Sequence, residues 1–423
     1  MAVNNNTGKP FSDTDRAKII INMPTLGDDV TNILDDTSVR EVTMTESILT
    51  PGLQTTLAIQ DKIHSTPQRR NLDDYSAQPL VVKIERPVLE EYNLEPNFLL
   101  VQKLYRLDNR KLDSYTIQKF NLHACDPSLL RDANSLVSKS WKCTQPHNVV
   151  ADVLSKCVGI KQGNLEIEPS QPNRDYIAEN IHPFQVCTQQ ADVALAEGND
   201  PSFLHFMTYE KQGTHHFKSL KKMAKQDPLF GGQPFTYNDK GTGQSGYWNP
   251  FDIIEYSFPC DFDILSDVLN GVGETGTSNR SLQTFNPANG VWSNLGSSDN
   301  GCGIGGASAL AATTNYGTSA QQNSCDIQVE KYALLRQARM MLLQPDKVAL
   351  RMTVPWNPTL HAGKTIEVVF INKGDGSGEQ VLEEKNYASG KYLIASLTHV
   401  YKSGGYATTM LDCVSESVAR GQV

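Results

Sequence analysis

Two separate blocks of this chain carry apolar residues at period two, and a block of helical period lies between them. A strand sends successive side chains to opposite faces, so each alternating block must form sheet with one face buried and one wet. The first block runs from about residue 38 to 143. Val42 and Met44 alternate with Thr43 and Thr45, and a Pro51-Gly52 turn leads into residues 55–59. Short runs at 81–84, 98–101, 104–107 and 114–120 follow, with a turn expected at Asp108-Asn109. In the second block Val348, Leu350, Met352 and Val354 alternate with Ala349, Arg351 and Thr353. Ile366, Val368 and Phe370 predict the next strand, and residues 392–400 pair with 406–414 across a hairpin at 402–405. Short strands divided by turn residues are the pattern of antiparallel barrels or sandwiches.

Between the blocks the period changes. Val149, Val150, Val153 and Leu154 fall on one helix face, and Gly159 stands where a cap would end it. A second helix is expected over 184–197, closed by Gly198, then strands at 202–209 and 214–218. From 229 to about 326 the chain is irregular, with a strand or two around Tyr247-Trp248 and residues 253–256, and after Gly271 it turns to Gly, Ser, Asn, Thr and Ala. A helix bearing Leu334, Ala338, Met341 and Leu342 ends at Pro345.

The predicted fold class is therefore mainly β with an α+β middle: two antiparallel β-barrel domains plus smaller α+β and irregular Gly-rich insert domains. The expected division is an extended N-terminal arm at 1–28, a first barrel at 29–143 and an α+β domain at 144–228. A Gly/Ser-rich insert follows at 229–330, and a helix plus second barrel at 331–423. That barrel is open to being discontinuous, with strands drawn from 229–265.

The chain has 423 residues and a net charge of −9, and its pI is near 5.5. A dedicated nucleic-acid binder carries a basic surface, so the balance argues against one. It is compatible with a duct through which DNA slides without sticking. The eight cysteines contain no CxxC and are expected to be reduced and mostly buried. No run approaches the roughly 18 apolar residues of a membrane helix, and the N-terminus lacks the pattern of a signal peptide.

Chemistry is sparse. Residues 301–306 match GxGxxG but lie in a glycine-rich run without the strand and helix that a dinucleotide site needs. His215 and His216 are adjacent on an expected strand and should diverge, one inward and one exposed, which suits no shared metal. Neither HExxH nor GxSxG occurs. Glu41, Glu46, Asp35 and Asp36 read as a solvated face, and the acidic stretch Asp28-Asp29 to Asp35-Asp36 as a solvated loop, with a pore lining as the alternative. Tyr247, Trp248 and Trp292 read as aromatics that pin loops, with a carbohydrate platform as the alternative. No catalytic, cofactor-binding or metal-ligating residue is nominated, and a structural or interaction role is expected rather than an enzyme.

Three ordered stretches carry a family resemblance. The first is residues 42–57, around Thr50-Pro51-Gly52-Leu53. The second is His182-Pro183-Phe184, then Asp200-Pro201-Ser202-Phe203-Leu204-His205-Phe206, then residues 213–220. The third is Pro358-Thr359-Leu360-His361-Ala362-Gly363-Lys364-Thr365-Ile366, then Ser389-Gly390-Lys391-Tyr392, closing on His399 and residues 406–412. Together they resemble the baseplate (tail) hub protein of contractile-tailed bacteriophages and related contractile injection systems. About two-thirds of the chain takes part, and residues 229–326 fit poorly.

The resemblance implies a structural virion protein of the tail baseplate, assembled in the host bacterial cytoplasm. Two tube-like barrels in each of three chains would give a homotrimeric, pseudo-sixfold ring. That ring would join the sixfold tail tube protein to a threefold central spike and form part of the DNA-ejection channel. Some relatives continue into a spike or carry a lysozyme domain, whereas no β-helix repeat follows here. The spike is thus expected as a separate chain. Further implied partners are neighbouring baseplate wedge proteins and the tape-measure protein, with DNA only in transit and no membrane insertion. The alternatives are a tail adhesin that binds host glycan through 229–330, or a tail-associated cell-wall hydrolase.

Overall fold

The computed structural model describes residues 17–22, 39–62, 79–114, 117–237, 249–259, 281–286, 291–296, 308–311, 349–372, 384–385, 388–403 and 406–415, with Arg336, Met340 and Leu343. The first block gives strands β1 (Lys18–Asn22), β2 (Val39–Ser47), β3 (Gln54–Lys62), β4 (Pro79–Glu85), β5 (Asn97–Ser114) and β6 (Ile117–Cys125). They lie in the order β1-β4-β5-β6-β3-β2, every pair antiparallel. Alternation decides which face goes in: Val42, Met44, Leu57, Ile59, Val82, Ile84, Leu100 and Leu122 all enter one core.

Two expectations are corrected here. Residues 18–22, assigned to an extended arm, form a strand paired with β4, because Ile19 and Ile21 alternate into the same core. The expected turn at Asp108-Asn109 is an irregularity inside one long strand. Asn109 takes φ 54° and the register shifts between Asp108 and Lys111, but β5 runs on to Ser114. A bulge of this kind keeps both partners paired while twisting the hairpin.

The middle block contains α1 (Pro127–Ala133), β7 (Val137–Thr144), α2 (Pro146–Lys156), β8 (Leu165–Ile167), β9 (Arg174–Ile181), α3 (Pro183–Val193), β10 (Phe203–Thr208), β11 (Thr214–Ser219) and α4 (Leu220–Lys225). Three of its helices open on proline, whose fixed φ suits the first turn and whose missing N–H costs nothing there. The apolar stripe of α2 packs with Phe184, Val186 and Cys187 of α3 over Phe203 and Phe217 of the β10–β11 hairpin. A further strand pair, β7 with β9, flanks this unit.

Farther along lie β12 (Phe235–Tyr237), β13 (Asp252–Ile253), β14 (Glu255–Ser257), β15 (Ser281–Asn286), β16 (Val291–Gly296), β17 (Ser308–Ala311), β18 (Leu350–Pro355), β19 (Thr365–Val369), β20 (Ile371–Asn372), β21 (Glu384–Lys385), β22 (Gly390–Lys402) and β23 (Tyr406–Val414). Strands β15–β17 make a small separate sheet inside the glycine-rich stretch. The helix face of Leu334, Ala338, Met341 and Leu342 falls outside the described residues. So do Asp28, Asp29, Asp35, Asp36, Tyr247, Trp248, residues 301–306 and the side chain of Trp292.

In the second block the order is β13-β12-β19-β22-β23-β18-β14. Residues 252–257 serve both ends of this path: β13 pairs with β12 and β14 pairs with β18. The strands thus come back on themselves through one short segment, around a core of Phe235, Ile253, Met352, Val354, Val368 and Leu411. The two blocks are also one sheet. Strand β2 pairs antiparallel with β22 over seven residues, from Glu41↔Lys402 to Ser47↔Ser396. The architecture is mainly β with an α+β middle.

Candidate functional site: one face of the shared sheet

The β2–β22 seam makes eight strands continuous, in the order β5-β6-β3-β2-β22-β23-β18-β14. One face of this run enters the cores. On the other face the registers align side chains in rows. Glu255, Thr353, Met410, Thr398, Thr45 and Gln54 stand opposite one another across six strands. The next row holds Thr408, Val400, Thr43, Thr56, His123 and Arg106.

From β18 to β3 these two rows contain no charged residue. Threonine predominates, and Met410 is 44% exposed. Threonine suits such a face, because its branched Cβ favours strand and its hydroxyl stays wet. Charges stand at the margins and are matched. Arg351 pairs with Asp412 at 2.6 Å, and Lys402 lies directly opposite Glu41. At the far end His123 accepts or donates at both ring nitrogens, to Thr56 Oγ1 at 3.2 Å and to Asp108 Oδ2 at 3.0 Å. The His123 bond holds the Asp108 carboxyl below the ordinary range, and nearby Arg106 adds to the effect.

The seam is fixed from behind by a buried carboxylate. Glu46, on the core side of β2, is 1% exposed. Its Oε1 accepts the Tyr209 backbone N–H at 2.6 Å and lies 3.0 Å from His361 Nδ1, while Oε2 accepts the Ala362 N–H at 2.8 Å. One side chain thus ties together the first block, the end of β10 and the turn before β19. Burial pushes the Glu46 carboxyl up, but the opposed His361, its hydrogen bond, His399 and the Tyr209 N–H outweigh it and hold it below its usual value. His399 on β22 is buried beside Glu46, and burial brings it down to about 4 although Glu46 pulls the other way. Its Nδ1 meets Thr409 Oγ1 at 2.9 Å.

This overturns the solvated reading of Glu46. A lone acidic residue in a period-two strand looks wet, and its burial depends on partners 163 and 315 residues away. The position was still legible in one respect: Glu46 continues the inward series of Val42 and Met44. Glu41 does lie on the outer face, partly exposed.

His215 and His216 do diverge on β11, yet both are buried, against the expectation of one exposed ring. The hairpin they share is covered on both sides. His215 Nδ1 meets His205 Nε2 at 3.3 Å beneath Phe184, and His216 Nε2 meets Thr208 Oγ1 at 2.9 Å. Burial drives His205 down to about 3 and His215 well below its normal value. Among the described residues no group of three or more His, Cys, Asp or Glu could hold a metal ion. Cys125, Cys187 and Cys413 are buried free thiols and Cys157 is exposed and free, but Cys143 is disulfide-bonded, which corrects the expectation of fully reduced cysteines.

No protein-family model and no curated protein matches the sequence. Solved structures do match. One is a tail protein from Neisseria meningitidis MC58, with a TM-score of 0.53 at 10% identity, covering 95% of this chain and 98% of that one. Another is the 43 kDa tail protein of prophage MuSo2 from Shewanella oneidensis, with a TM-score of 0.53 at 10% identity, covering 94% and 98%. At such identity the likeness is one of fold, and the chain has the fold of these phage-type tail proteins along nearly its whole length.

Proposed function

We propose that this chain is a structural baseplate hub. Three copies form a pseudo-sixfold ring that joins a sixfold tail tube to a threefold central spike and encloses part of the DNA-ejection channel. The observation that carries the reading is the eight-strand sheet with its uncharged hydroxyl face. Two barrel-like halves sit side by side in each chain and share one sheet, so three chains present six similar halves. Closed symmetry buries in the ring the edges that a single chain leaves open. A threonine-rich wall offers a polyanion neither attraction nor repulsion, so DNA would pass along it without being held.

On this reading the partners are further copies of the chain, a tail tube protein, a central spike protein, baseplate wedge proteins and the tape-measure protein. The location is the baseplate of an assembled tail. The role is not enzymatic, and it rests on matched surfaces instead of a reacting group. The first test is the native mass of the purified protein by analytical ultracentrifugation or native mass spectrometry. A trimer supports the ring. A stable monomer at micromolar concentration that also fails to close on added tube or spike protein refutes it.

A further inference from the structure

Trp356 follows β18 in the second block, yet its ring is buried in the core of the first, against Phe98. Its backbone is held on both sides. The carbonyl accepts from Arg86 Nη1 at 2.8 Å, and the N–H donates to the Ala407 carbonyl at 3.0 Å. The indole N–H, in contrast, has no partner among the described residues. Neither has Nε2 of His399 on β22, nor Nδ2 of Asn357. All three side chains are fully buried, so bulk solvent does not reach them. In native proteins groups buried this deeply are met by protein or by an ordered water.

The spacing suits a water. Phe98, Trp356 and His399 form a triangle with ring centroids 6.2, 6.3 and 6.4 Å apart. Edge-to-face pairs that close on each other elsewhere in the chain are tighter, at 5.2 Å for Phe230–Phe251 and 5.3 Å for Phe184–His205. Two ring nitrogens that stand at this separation without bonding each other can be spanned by one oxygen making two bonds of about 2.9 Å.

The donors and acceptors also match. An indole N–H can only donate. His399 is neutral, because burial brings it down to about 4, so one ring nitrogen carries a hydrogen and the other a lone pair. Its Nδ1 stands 2.9 Å from Thr409 Oγ1, and a hydroxyl serves as donor or acceptor. An oxygen that accepts from the indole has its own hydrogens to give, and only an unprotonated Nε2 can take one. The hydrogen of His399 then sits on Nδ1 and is donated to Thr409. Asn357 Nδ2, one residue beyond Trp356, supplies a further donor where a buried water makes about three bonds.

We propose that the junction of the two blocks binds one internal water, which accepts from Trp356 Nε1 and donates to His399 Nε2, and so fixes His399 as the Nδ1–H tautomer. His399 lies directly opposite Met44 of β2. The water is therefore a second polar tie at the β2–β22 seam, beside Glu46, and it joins the seam to the stretch that leads to His361. It holds in a single chain and does not depend on ring formation.

Two measurements on the full chain test it. A crystal structure that shows ordered solvent should contain an isolated oxygen within about 3.2 Å of both Trp356 Nε1 and His399 Nε2. In solution, protein labelled with ¹⁵N-histidine should show the His399 ring, identified among the nine histidines as the signal lost in His399→Gln, with a protonated Nδ1 and an unprotonated Nε2. Trp356→Phe keeps an aromatic ring in place and removes the donor, so the His399 Nε2 signal should shift. Urea midpoints should fall in Trp356→Phe and in His399→Gln, and by less than the sum of the two in the double variant. Solvent density elsewhere with none between these two nitrogens, a direct Trp356–His399 bond, or a His399 ring protonated at Nε2 overturns the proposal. So does a His399 signal that ignores Trp356→Phe.

Discussion

Glu46 Oε1 lies 3.0 Å from His361 Nδ1 with both side chains buried, so one contact spans the two sheet blocks. Neutralising a buried carboxylate weakens the charge-assisted hydrogen bonds it accepts, at a cost of about 1.5–3 kcal/mol. Glu46→Gln should lower stability by this order, and the Tyr209 and Ala362 N–H groups would keep only part of their partner. Urea unfolding of wild type and variant would measure it. A loss below about 1 kcal/mol would mean that the seam is held by β2–β22 pairing alone.

Acid should loosen the protein by two routes of the same sign. His399 and His205 are held neutral, at about 4 and about 3, so between those values and an unfolded value near 6.5 the unfolded chain binds more protons. Their contribution is complete above about pH 6.5 and falls as the pH drops toward 4. For His399 the full loss is about 3 kcal/mol. Glu46 is held below 4.5, so its contribution is present above that value and is lost as the pH falls through its folded value. Denaturation midpoints at pH 8, 6, 5 and 4 should decline steadily. His399→Gln should flatten the fall between 6 and 4.

Gly363 sets the turn that presents His361 and Ala362 to Glu46. Its φ is +80°, and a Cβ there would stand 2.8 Å from Phe206 Cζ and 3.1 Å from Met223 Sδ. The conformation disfavours a side chain and the neighbours are packed, so strain and crowding add. Gly363→Ala should destabilise by about 2–4 kcal/mol, measured by thermal unfolding. A neutral result would show that the turn can relax.

The uncharged face should tolerate substitution without loss of fold. Thr45→Lys with Thr398→Lys places two cations opposite each other on β2 and β22. Stability should change by about 1 kcal/mol or less, because both side chains reach water. Filter binding at low salt should show duplex DNA retained by the double variant and released by wild type, with the difference vanishing as salt rises. Equal retention by both proteins would count against a face adapted to let DNA slide.

Inside the first block, Leu57 is fully buried on β3. Leu57→Ala should cost about 2–5 kcal/mol by opening a cavity under β2 and β6. Chemical denaturation reads this directly, and a smaller loss would indicate that the rolled sheet collapses onto the space.

Much of the fold was legible in the sequence because it is local. Alternation placed β2, β3, β4, β18, β19, β22 and β23 and decided which residues of each face a core. The helical stripe of Val149, Val150, Val153 and Leu154 placed α2, and the helix expected over 184–197 corresponds to α3, which ends earlier, at Val193. Even the threonines of the outer face were visible as the polar half of each alternation. The turn at Asp108-Asn109 misled because a bulge and a hairpin ask for the same residues, and only pairing with β6 separates the two.

What the tertiary structure alone decided are relations between distant residues. Period two fixes which side of a strand is apolar, but nothing in it says which strand will lie alongside. The β2–β22 seam, and with it the rows that make one face from two blocks, depends on register between segments about 350 residues apart. The state of Glu46 is of the same kind. A carboxylate is wet or buried according to the donors that meet it, and these arrive from β10 and from the turn before β19 only when the three parts close together.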